Sequence, residues 1–152
     1  MKKKILTVAA AILFTLSATF ARDIDPVPDA IASALQKEFK NASNVTWKTT
    51  SVFYKAAFTF DDNPLEAFFS HEGQLMGVSR KIIIDQLPLS LIKKVNEKGA
   101  TTEITELFEL LTDRGTEYFI TYGTGKEQKT LKSSGTFPSW SRYEANEFFP
   151  NK

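Results

Sequence analysis

Residues 54–70 read Tyr54-Lys55-Ala56-Ala57-Phe58-Thr59-Phe60-Asp61-Asp62-Asn63-Pro64-Leu65-Glu66-Ala67-Phe68-Phe69-Ser70. Tyr54, Ala56, Phe58 and Phe60 alternate with Lys55, Ala57 and Thr59. A period of two rich in aromatic residues is the mark of a strand with one face turned inward. Asp61-Asp62-Asn63-Pro64 is a cluster of turn formers, and Leu65 to Ser70 follows as the next strand. On the N-terminal side, Val45, Trp47 and Thr49 alternate with Thr46 and Lys48 in the same manner. On the C-terminal side, His71-Glu72-Gly73 turns the chain into a fourth strand from about Gln74 to Ile84. Strands joined by such short turns must be antiparallel.

Helices flank this block. Pro26 and Pro28 break the entry segment, and Asp29 to Lys40 places Ile31, Ala34, Leu35 and Phe39 at near-helical spacing. A second helix opens near Pro88, with Leu89, Leu91, Ile92 and Val95 on one side and Lys93, Lys94 and Glu97 on the other; Gly99 ends it. Strands are then expected over 101–111, 116–122 and 126–133, separated by Asp113-Arg114-Gly115 and Gly123-Thr124-Gly125. Periodicity alone leaves 102–111 open, because Ile104, Leu107, Phe108 and Leu111 also fit the i, i+3, i+4, i+7 pattern of a helix. A weak internal repeat favours the strand. Pro28 and Pro88 each precede a helix, each helix leads to a β-branched strand start (Val45, Ile104), and 54–58 has a counterpart in 118–122. The expected fold is α+β: an antiparallel β-sheet with two helices packed on one face, in two weakly similar α-β-β-β(β) halves at about 28–84 and 88–143. The opposite face is left to water or to a partner.

The N-terminus predicts export. Lys2-Lys3-Lys4 precedes the uncharged apolar run Ile5–Leu16, followed by the small and polar Ser17-Ala18-Thr19-Phe20-Ala21. That order is the layout of a secretory signal peptide over 1–21, with residues 22–152 as a single domain. The run of twelve residues is well short of the roughly 20 that span a bilayer, so no membrane span is expected after cleavage, and the destination is periplasmic or secreted. The chain has no cysteine: acylation at cysteine and disulfide staples are both excluded, and stability must come from a packed core. Removing Lys2, Lys3 and Lys4 from 19 basic residues leaves 16 against 18 acids, a net charge of −2. Without a basic excess to neutralise phosphates, nucleic acid is not an expected partner.

Catalytic chemistry finds little to work with. His71 is the single imidazole and sits in a turn, whereas a Ser-His-acid triad needs three mutually oriented groups. One His and no Cys do not make a zinc site. Asp61-Asp62-Asn63 lacks the distant Glu and central Gly of a calcium loop and reads as a turn. Glu103, Glu106 and Glu109 read as solvated positions. Gly123-Thr124-Gly125 lacks the third glycine of a dinucleotide loop. Asn41 and Asn44 begin glycosylation sequons that a bacterial export signal leaves unmodified. No enzyme activity, cofactor or metal is therefore expected.

The chemistry that remains is aromatic: Phe, Tyr and Trp make up 12% of the chain. Trp47, Tyr54 and Phe58 are expected in the core. Trp140, Arg142 and Tyr143 lie among Ser, Arg and Glu and are expected to be exposed anchors that bind a protein partner, the usual role of Trp, Tyr and Arg at interfaces.

Phe39-x-x-Ala42-x-x-Val45-x-Trp47, Tyr54-x-Ala56-x-Phe58, Glu72-Gly73-Gln74-Leu75 and Ile84-x-x-Leu87-Pro88, in that order and spacing, resemble the PepSY-like, β-lactamase-inhibitor-like family of exported bacterial proteins. The match covers most of 28–122. The resemblance implies a single non-enzymatic binding domain, and it is the resemblance alone that implies inhibition or modulation of an exported enzyme such as a peptidase. The alternatives are a periplasmic carrier or sensor of a small ligand, and an envelope protein with no discrete ligand.

Overall fold

The computed structural model describes residues 27–97, 104–123, 128–135 and 139–143. The signal-peptide expectation for 1–21, Gly99, and the aromatic residues Phe137, Phe148 and Phe149 lie outside the described residues.

Helix α1 spans Asp29–Glu38. Pro28 fits just ahead of it, with φ −56° and ψ 140°, and its carbonyl accepts the amide of Ile31 at 2.9 Å; a residue without an N–H loses nothing at that end. Strands β1 (Ser43–Thr49), β2 (Tyr54–Phe60), β3 (Asn63–Phe69) and β4 (Leu75–Lys81) follow. A 3-10 turn at Ile84–Gln86 leads into helix α2 at Leu89–Glu97. Four further strands complete the chain: β5 (Ile104–Thr112), β6 (Gly115–Tyr122), β7 (Lys129–Ser134) and β8 (Ser141–Arg142). All eight form one sheet in the order β1-β2-β3-β4-β5-β6-β7-β8, with every neighbouring pair antiparallel. The molecule is α+β, as the sequence predicts.

Turn chemistry fixes the register. Phe60 pairs with Asn63, so Asp61 and Asp62 are the two-residue loop, both at positive φ (46° and 63°). That backbone follows the right-handed twist of the flanking strands. Thr112 pairs with Gly115 across Asp113-Arg114, and Gly115 takes φ 112°, which a side chain would resist. β1 carries a bulge between Ser43 and Thr46, with Asn44 at φ 53°.

Directly opposed residues share a face of the sheet, so the register sorts the side chains. Trp47, Ala56 and Ala67 line one face, and Ile31 and Leu35 of α1 pack there against Ala56, Phe58, Ala67 and Phe69. Ala67 pairs with Val78 and Val78 with Leu111, which carries the same face into the second half. There Leu91 and Val95 of α2 pack against Leu107 and Ile120. Both helices therefore lie on one face, as expected. The expected strand at 101–111 is β5. Its helix-like spacing arises because both faces of the strand are apolar: Leu107 faces α2, whereas Phe108 and Leu110 face the other way.

Candidate functional site

The face opposite the helices is the surface where a partner is expected. It collects Thr46 and Lys48 from β1, Lys55 and Ala57 from β2, and Glu66 and Phe68 from β3. From β4 to β6 it adds Ser79, Lys81, Glu106, Phe108, Leu110, Phe119 and Thr121. Thr130, Lys132, Ser141 and Tyr143 complete it. Two regions differ in character.

The first is a diagonal of alternating charge across β2–β5. Lys55 Nζ donates to Glu66 Oε1 at 2.8 Å, and both side chains are largely shielded from solvent. Lys81 stands two residues beyond Ser79, the partner of Glu66, and Glu106 continues the diagonal on β5. Burial pushes the Glu106 carboxyl above the usual glutamate range; Glu66 adds to the rise and Lys81 works against it. An open groove of about 400 Å³ runs beside this diagonal, lined by Thr46, Ala57, Thr59, Glu66, Ser79 and Lys81 among others. Alternating charges at this spacing make a surface that favours a partner of matching pattern and penalises the wrong one.

The second region is apolar and closed. Phe68, Phe108, Leu110 and Phe119 are only 1–3% exposed. Phe108 and Phe119 stack with ring centroids 4.8 Å apart, and Phe53 meets Phe68 edge-on at 5.5 Å. This corrects the expectation of an open reverse face. On the polar diagonal Lys81 is exposed and Lys55, Glu66 and Glu106 are half-buried, whereas the aromatic centre is core.

Sequence reasoning placed the partner contacts at Trp140, Arg142 and Tyr143; the structure puts Trp140 and Arg142 on the helix face and Tyr143 on the other. Arg142 pairs with Leu131 and so stands on the helix face. Tyr143 falls on the opposite face, is 8% exposed, and meets Phe119 edge-on at 5.3 Å. Trp140 is half-buried against the α2 cluster, with its Nε1 buried and unpartnered. Only Arg142 of the three is exposed. The reason is the two-residue period of a strand: positions three apart point to opposite faces, so each aromatic packs into a different core. Lys48, Lys55, Glu66 and Lys81 were missed because single charges on alternating positions look like ordinary solvated residues. Their register is what joins them.

Elsewhere, His71 is exposed and meets the Tyr54 ring edge-on at 4.9 Å. On the helix face Arg80 is hydrogen-bonded to Glu109, and burial, reinforced by Glu109, raises the Tyr118 hydroxyl above its ordinary value. Among the described residues no group of three or more His, Cys, Asp or Glu could hold a metal, and no helix is long and apolar enough to cross a membrane.

The fold has known counterparts. A BLIP-like protein from Bacteroides fragilis superimposes with a TM-score of 0.66 at 20% identity, over 84% of this chain and 92% of its own. In fold, the chain is BLIP-like. A candidate periplasmic protein from Bacteroides eggerthii matches at TM-score 0.69 and 13% identity, covering 81% of this chain and 99% of its own. A DUF2874 family protein from Bacteroides uniformis matches at 0.68 and 13%, covering 80% and 92%. No protein-family model matches the chain, and no curated protein sequence does. The architecture expected from the PepSY-like, β-lactamase-inhibitor-like resemblance is thus the one found in the BLIP-like structures.

Proposed function

We propose that the chain is an exported, non-enzymatic binding module that docks on a protein partner through the polar half of its reverse sheet face. The observation that carries this reading is the charged diagonal Lys55–Glu66–Lys81–Glu106, held on a sheet that has both helices on its other side. A preformed surface loses little conformational entropy on binding, and alternating charge supplies specificity. The shared fold supports the reading, since the Bacteroides fragilis counterpart is a BLIP-like protein and the Bacteroides eggerthii counterpart a candidate periplasmic protein. Inhibition or modulation of an exported enzyme, by covering its cleft, is the mode proposed. Trp140 and Tyr143 serve the two cores in this scheme, and Arg142 is an exposed flank rather than an anchor.

A small-ligand carrier would hold its ligand in a closed apolar cavity. The groove lined by Lys81–Asp85 and Ile104–Leu107, about 540 Å³, is open to solvent, which favours the binder. The test is affinity capture from the native periplasm with wild type and a Lys55→Glu/Lys81→Glu variant, the latter checked for its fold by circular dichroism. Loss of a wild-type partner supports the proposal; an identical set of captured proteins overturns it.

A further inference from the structure

The open groove at the end of β4 and the start of β5 combines two chemistries. Lys81, Asp85 and Glu106 line it together with the aliphatic Ile83, Ile84 and Ile104. The local backbone sets this arrangement. Beyond β4 the chain stays extended at Ile83, with φ −104° and ψ 164°, so the alternation of the strand continues past its last residue. Ile82 turns to the α2 cluster, while Ile83 falls on the side of Lys81 and is 64% exposed. The Ile83 amide donates to Gln86 Oε1 at 2.9 Å, and the Ile82 amide donates to the Leu107 carbonyl at 3.0 Å. These bonds hold an exposed isoleucine beside a half-buried carboxylate.

Spacing narrows what can sit there. Lys81 pairs with Phe108, and Glu106 stands two residues from Phe108, so the two charges are diagonal neighbours, about 7–8 Å apart at the backbone. Alternate residues of an extended chain are about 6.8 Å apart and point the same way, which nearly matches that step. Charge sets the signs. Asp85 and Glu106 line the groove against the single ammonium of Lys81, and the aliphatic wall suits the long stem that carries a lysine or arginine charge. We propose that the groove receives an extended segment of the protein partner with an acidic and a basic residue two positions apart. The acid meets Lys81, and the base meets Glu106 with its stem along Ile83. At about 540 Å³ the groove has room for the two side chains and the residue between them. Opposite charges matched in this way select a partner by the spacing of its charges. The assignment rests on the docking reading above and names the chemistry of the segment that docks.

Two blocked heptapeptides of identical composition provide the test. Each contains a glutamate and an arginine among threonines and alanines. In one the charges are two positions apart; in the other they are adjacent, where an extended chain turns them to opposite sides. Titrated into the folded protein, the spaced peptide is expected to shift the amide resonances of Ile83, Ile84 and Glu106 and to bind several-fold more tightly than the adjacent one. Ile83→Ser and Glu106→Gln, each checked by circular dichroism, are expected to weaken the spaced peptide several-fold. Equal binding of the two peptides, no shift with either, or a spaced peptide indifferent to both substitutions overturns the proposal. If a variant does not fold, the comparison of peptides on the wild type decides alone. The docking reading has its own test in the capture experiment with Lys55→Glu/Lys81→Glu. A partner lost there without any peptide preference leaves that reading standing and removes this segment, whereas a peptide preference with unchanged capture does the reverse.

Discussion

Asp61 and Asp62 occupy a backbone region that only glycine enters freely, and Asp is among the few residues that tolerate it. With φ above zero at both positions the loop follows the twist of β2 and β3, which a type I or II turn would splay. A β-branched residue there meets the full steric cost. Asp62→Val is expected to lower stability by about 1–2 kcal/mol, read as a shifted urea midpoint with an unchanged slope. Glu106 carries a different residue-scale signature. Its folded-state carboxyl is raised by burial, with Glu66 adding to the rise, so the native protein holds this proton to higher pH than the unfolded chain does. Stability is therefore lost as pH rises from the ordinary glutamate value of 4.5 through the raised folded value, and it levels off above it. In Glu106→Gln that loss is expected to vanish, which urea midpoints taken across the pH range will show. Sequence alone marked Asp61-Asp62 as a turn from residue type. It gave no sign of the rise at Glu106, because the burial that causes it is made by the folded sheet, and Glu66, which adds to it, and Lys81, which opposes it, are 40 and 25 positions away.

At the scale of elements, β5 shows how far a periodic pattern can be read. Its apolar residues served two cores at once, Leu107 on the helix face and Phe108 and Leu110 on the other, and two overlapping alternations mimic a helical stripe. The repeat with the first half, rather than periodicity, distinguished the two. The expected exposure of Trp140 and Tyr143 was not met for the converse reason. Trp140 and Tyr143 sit among polar neighbours, and nothing local says that a two-residue strand turns one ring to each face. Their spacing of three did contain the answer, once a strand was assumed there. The helices were legible throughout, since amphipathic spacing within ten residues needs no distant information. Leu91 is fully buried between α2 and the sheet. Leu91→Ala is expected to cost about 2–5 kcal/mol, measured by chemical denaturation, and to weaken hydrogen-exchange protection in α2 more than in α1, which belongs to a separate cluster.

For the whole molecule, the α+β architecture followed from strand runs, turn residues and two amphipathic segments, each written within a few adjacent residues. The character of the reverse face did not follow, since it depends on which residues of non-adjacent segments stand side by side. Alternation predicted that a second face exists; it could not say that one half would be charged and partly exposed and the other aromatic and closed. The docking reading makes a further prediction at this scale. If the diagonal steers a partner electrostatically, association should slow as ionic strength rises, while dissociation changes little. Stopped-flow binding at several salt concentrations checks this, and a salt-independent on-rate would remove the diagonal from the interface.

Among the described strands, each is bonded only to its neighbours in the chain, β1 and β8 to one and the rest to two. No described strand waits for a partner encoded far downstream, and both helices rest on the same face of the sheet. A chain threaded through a narrow pore from its N-terminus could therefore set each hairpin in turn as it emerged, with α1 already on the first half before β5 appears. Delivery and assembly would then run in the same direction along the same polymer.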